Sequence, residues 1–110
     1  MATTVLGPLA ASNPVGTTAV TLYTPGANEE VTVKVTCVNL DSSPVTISLY
    51  MDPAGGALYD GTTTKAKDIM IPAGRKYVDY ILMNGAANDL GVKTDTANMV
   101  AFSAEGVVRS

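Results

Sequence analysis

From Glu29 to Asn39 the chain alternates without a break: Val31, Val33, Val35 and Cys37 fall on one side of an extended backbone, and Thr32, Lys34 and Thr36 on the other. A period of two belongs to a strand with one face in a core. After Leu40-Asp41-Ser42-Ser43-Pro44 the pattern returns, with Val45, Ile47, Leu49 and Met51 opposite Thr46, Ser48 and Tyr50, and the two runs read as a hairpin. Pro-Gly punctuation launches further runs. Leu22-Tyr23-Thr24-Pro25-Gly26 leads into the first alternation, and Met70-Ile71-Pro72-Ala73-Gly74 leads into Arg75 to Met83. Shorter runs follow at Leu90 to Thr94 and Met99 to Val108, with Gly106 expected to mark a bulge or bend. No segment keeps a helical period over ten residues.

Seven to nine short strands between Pro, Gly, Asn and Asp turns predict an all-β chain, a single antiparallel β-sandwich of immunoglobulin-like or jelly-roll-like type. Its 110 residues suit one core without disulfides or a metal. Residues 1–18 carry no charge, two prolines, two glycines and no sustained period. They read as an extended N-terminal arm ahead of a sandwich domain at 19–110. The arm either lies along its own domain as a first strand or reaches a neighbour in an assembly, and the second course is favoured.

Charged residues make up only 15% of the chain, against about 25% in an ordinary soluble domain. Such a surface loses little hydration when a neighbour covers it. The net charge is -3, and the basic residues Lys34, Lys65, Lys67, Arg75, Lys76, Lys93 and Arg109 are scattered, which argues against nucleic acid. No apolar run reaches membrane-span length. The first charge is Glu29, so the amino terminus lacks the basic start of a secretory signal and synthesis in the cytoplasm is expected.

The chain has no histidine, which removes Ser/His/Asp and Cys/His catalysis and zinc sites built on Cys and His. Cys37, the single cysteine, alternates with valines and reads as a small buried hydrophobe. Gly55-Gly56 and Gly61 lack the following helix that a phosphate loop needs. Asp52, Asp60 and Asp68 flank the longest irregular stretch; a calcium site or an acid/base pair is weighed there against turn aspartates bonding local amides, and the latter is preferred. Asn88, Asp89 and Asp95 are judged alike. No catalytic residue, cofactor or metal ligand is assigned. Tyr50 and Tyr59, beside the glycine-rich stretch from Asp52 to Gly61, are candidates for stacking a glycan, with strand packing the more ordinary role for a tyrosine.

Leu6-Gly7, Leu22-Tyr23-Thr24, Pro25-Gly26, the run from Val31 to Asn39, Asp89-Leu90-Gly91-Val92 and Gly106 together resemble a family of small β-sandwich structural proteins of tailed bacteriophage particles. The resemblance spans nearly the whole chain, departing from the family pattern only in lacking the alanine and the preceding valine of the first turn. It implies a non-enzymatic virion component, made in the host cytoplasm, present as a homo-oligomer or in a multi-copy assembly, and serving as a capsid decoration or cement protein that binds the major capsid protein or other virion proteins. Tail or neck attachment and host-glycan recognition are the alternatives. Contact with partners is expected from the arm, through Leu6, Pro8, Leu9, Pro14 and Val15, and from the last strand, through Val107, Val108 and Arg109.

Overall fold

The computed structural model describes residues 4–54, 56–85 and 88–109, with side chains from Gly7 onward. Eight strands follow in order: β1 (Thr4–Ser12), β2 (Val20–Tyr23), β3 (Glu30–Asn39), β4 (Val45–Asp52), β5 (Thr64–Ile71), β6 (Lys76–Asn84), β7 (Asp89–Thr94) and β8 (Val100–Arg109). They form two four-stranded sheets, one ordered β1-β8-β3-β6 and the other β2-β7-β4-β5, and every strand pair is antiparallel. Only the step from β4 to β5 stays within a sheet; each other connection crosses between the two. That order is an eight-stranded jelly roll, which decides between the two sandwich types expected from sequence.

The alternation of β3 places Val31, Val33, Val35 and Cys37 against the other sheet. With Ile47 and Leu49 of β4, Leu90 and Val92 of β7, and Val100, Phe102 and Ala104 of β8, they make one core. Each fully buried Leu, Ile or Phe among them contributes about 1.5–3 kcal/mol of transfer free energy. Burial pushes the Cys37 thiol up to about 12, helped by the nearby Asp79 carboxylate, so it is the inert hydrophobe its register implied.

The expected hairpin of β3 and β4 does not form. β3 pairs with β6 and β8, and β4 with β5 and β7, so Leu40 to Pro44 carries the chain across the sandwich. The reason lies in Asn39. Its side chain is 1% exposed; Nδ2 donates to the carbonyls of Ser43 and Ile71, both at 2.9 Å, and Oδ1 accepts the Asp41 amide at 2.7 Å. One amide thus rivets the end of β3 to the other sheet, and no two-residue hairpin turn is available to compete.

Residues 4–12 take the first of the two courses open to the arm. They form edge strand β1 on β8, from Thr4 opposite Arg109 to Ser12 opposite Phe102. The bulge lies here, between Pro8 and Ala10, while β8 runs beside β3 without a register shift. Gly106 is therefore no bulge but a close approach: with φ +157°, a Cβ on it would overlap the Thr32 carbonyl oxygen of β3.

Candidate interaction face

The two outer faces of the sandwich are finished differently. On the β2-β7-β4-β5 sheet, the chain between β4 and β5 folds back as a strap. Asp52 stands opposite Asp89 across β4 and β7. The Asp52 carboxylate accepts the amides of Leu58 (2.8 Å), Ala54 (2.9 Å) and Gly56 (3.0 Å), and donation from Leu58 and Ala54 holds it below the usual carboxylate range. Asp89 accepts the Ala57 amide and the Thr24 hydroxyl. Tyr59 lies on Gly91, where a Cβ would come within 2.5 Å of its ring, and its hydroxyl pairs with that of Thr21 at 2.5 Å.

Asp52 and Asp89 therefore serve the strap and Asp60 the turn that follows, as turn aspartates do, whereas Asp68 is exposed and its amide, not its carboxylate, is engaged, by the Ser48 hydroxyl. Asp60 accepts the hydroxyl and amide of Thr62, which lower its pKa, and Asp95 accepts the Thr46 amide. Among the described residues no group of three or more His, Cys, Asp or Glu stands where it would hold a metal ion. Tyr50 and Tyr59 do meet, with ring centroids 5.7 Å apart and planes inclined by 38°. They offer no open stacking platform, because Tyr50 is buried and one face of Tyr59 rests on Gly91.

Among the described residues, the outer face of the β1-β8-β3-β6 sheet carries no strap. Register sets its rows. Leu6 of β1, Val107 of β8, Thr32 of β3 and Leu82 of β6 stand abreast in the backbone ladder; beside them run Pro8, Glu105, Lys34 and Tyr80, then Ala11, Ser103, Thr36 and Val78. Leu82 is 75% exposed and Tyr80 67%. The Lys34 ammonium and the Glu105 carboxylate, 3.8 Å apart on adjacent strands, offset each other. At the Glu30 end the face sinks into a groove of ≈ 450 Å³ lined by Thr32, Leu82, Asn84, Val107 and Arg109.

This face gathers part of the contact set expected from sequence. Pro8 is exposed, and Val107 and Arg109 line the groove. Leu6 is the backbone partner of Val107, its side chain being outside the described residues. Leu9 packs partly on the core, and Val15, 82% exposed, lies beyond β1 in the connection to β2. Pro14 and Val108 are buried, Val108 opposite Val31 on the core side, and so offer no contact surface. Tyr80 and Leu82 were missed. Their strand was evident, but nothing in the sequence shows that β6 is an edge with its odd-numbered residues inward.

The sheet edges are guarded. On β6, the Tyr80 amide donates to the Asp79 carboxylate at 2.8 Å and the Asn84 amide to the Asn88 side chain at 2.7 Å, so two amides that would greet an added strand are already taken. β5 carries exposed Lys65 and Lys67 and a bulge, β1 carries Pro8 and a bulge, and β2 is four residues long.

Fold and faces define an all-β jelly-roll domain with one strapped face and one open face. No protein-family model matches the sequence, and no curated protein matches it. Among solved structures, the chain is similar to a protein of the T13 particle of infectious bursal disease virus, with a TM-score of 0.55 and 12% identity over 99% of this chain and 30% of that one. It is likewise similar to the tobacco streak virus coat protein in a C2 crystal form, with a TM-score of 0.52 and 10% identity over 100% of this chain and 85% of that one. The coat protein dimer of the same virus gives a TM-score of 0.50 and 8% identity, over 100% and 84%. The chain thus spans less than a third of the bursal virus protein and most of the tobacco streak virus coat protein. At such identities the likeness is one of fold.

Proposed function

We propose that this chain is a non-enzymatic structural subunit of a virus particle, a decoration or cement protein seated in many copies on the major capsid protein. The observation that carries the reading is the open outer face of the β1-β8-β3-β6 sheet, with exposed Leu82 and Tyr80 and half-buried Val107 around a self-neutralised Lys34–Glu105 pair. Such a face can be covered at small desolvation cost, and repetition over a lattice multiplies a weak contact into firm attachment. The jelly roll shared with viral coat proteins supports the reading, as does the resemblance to bacteriophage particle proteins. Pro8, Val107 and Arg109, with Leu6, are the contact residues assigned to this face. Val15 and the end of β1 form a second contact. Neither nucleic acid nor a membrane is a partner in this reading, and the protein resides in the virion.

The test is the copy number of the chain per particle, from quantitative mass spectrometry of purified particles. A ratio near one per shell subunit is expected; a few copies would move the protein to neck or tail, and absence would end the virion reading.

A further inference from the structure

Beside the strap, on the outer face of the β2-β7-β4-β5 sheet, lies a second hollow of ≈ 290 Å³, near the lower end of small-molecule pockets at about 300 Å³. Its lining brings together side chains that a regular sheet would separate. Lys67 and Asp68 are neighbours in sequence and should point to opposite faces, yet both are exposed and both line the hollow. The register between β4 and β5 shifts between Ile47 and Leu49, and Asp68 adopts φ 52°, a left-handed conformation at a non-glycine residue. Bulges re-aim side chains in this way, and such backbone outliers gather at binding sites.

The floor and far wall are equally specific. Ser48 is buried, and its hydroxyl oxygen accepts the Asp68 amide at 3.1 Å, which leaves the hydroxyl proton to donate. Lys93 stands opposite Ser48 on β7. Neither Lys67 nor Lys93 forms an ion pair among the described residues. Tyr50 and Tyr59 supply an apolar wall, and the strap that carries Tyr59 and Asp60 is held by the three amide bonds to Asp52 and by the Tyr59–Thr21 pair. The site is therefore largely pre-ordered.

Two ammonium groups, an Asp68 carboxylate and the hydroxyls of Ser48 and Thr64 match a ligand that offers one carboxylate and several hydroxyls. We propose that this hollow binds an acidic sugar, its carboxylate between Lys67 and Lys93 and its hydroxyls on Asp68 and Ser48. The assignment stands apart from the capsid reading, since it uses the opposite face of the sandwich.

The experiment is a titration of the intact chain with glucuronate, and with glucose as the neutral control, followed by amide chemical shifts. Saturable shifts confined to Ser48, Thr64 to Asp68 and Lys93 are expected for glucuronate at millimolar concentration, with none for glucose. In the Lys67→Ala/Lys93→Ala double variant the affinity should fall about tenfold or more, the scale of losing charge-assisted contacts, whereas Lys76→Ala on the other sheet should bind as the parent does. Both lysines are exposed, so the double variant should keep the parent spectrum elsewhere. Equal shifts with glucose, no saturable shift, or undiminished binding by the double variant would each overturn the proposal.

Discussion

Asn39 ends the most regular strand of the molecule and joins the two sheets through three hydrogen bonds, to Ser43, Ile71 and Asp41. Replacing it with alanine removes three hydrogen bonds, the one to Ile71 buried and the other two part-buried. Asn39→Ala should cost about 2–4 kcal/mol in urea unfolding, more than an exposed Thr36→Ala change. The sequence showed Asn39 only as the end of an alternation. Its side-chain role was not legible, because a buried amide is defined by what the other sheet brings to it. The same holds for Gly106: a glycine in a strand announced something local, but whether bulge or close approach depends on the neighbouring Thr32 carbonyl.

Among the elements, the strap between β4 and β5 depends on an ionised Asp52. In the unfolded chain an aspartate titrates near about 3.9, and in the fold the Leu58 and Ala54 amides lower that value. The folded value being the lower, this support is complete above the unfolded pKa and is lost as the pH falls through the folded one. Contacts between the Tyr59 ring and Gly91, followed by proton NMR, should therefore weaken on acidification below about pH 4. Asp52→Asn should weaken them at neutral pH, since an amide side chain has one acceptor oxygen for three donors. The guard on β6 makes a second prediction: Asp79→Ala frees the Tyr80 amide at the middle of an edge and should increase concentration-dependent self-association over that of the parent in size-exclusion chromatography. Strand positions were the most legible level of the fold. The runs at Glu29 to Asn39, Val45 to Met51, Arg75 to Met83, Leu90 to Thr94 and Met99 to Val108 each lie within one residue of the observed strands at both ends. Pairing was not legible, for alternation reports which residues face a core and is silent on which strand lies alongside.

For the whole molecule, 48 × 27 × 19 Å, the difference between its two broad faces is the feature that bears on assembly. Leu82→Glu and Val107→Glu place charge on the open face without entering the core. Each should leave the unfolding midpoint within about 0.5 kcal/mol of the parent and abolish co-sedimentation with particles. Deleting residues 2 to 16 would be a poorer test of this face, since it strips β1 from β8 and bares a new edge. The strand order has a further consequence, for time rather than contact. β8 is the last of the described strands, yet it lies between β1 and β3, inside its sheet. During synthesis, the edges of β1 and β3 that β8 joins stay unpaired until Val100 to Arg109 has left the ribosome. Folding of this chain is therefore gated by its final strand, in the slow range of milliseconds to seconds typical of non-local β topologies, and a nascent chain stalled before β8 is the form most in need of a chaperone.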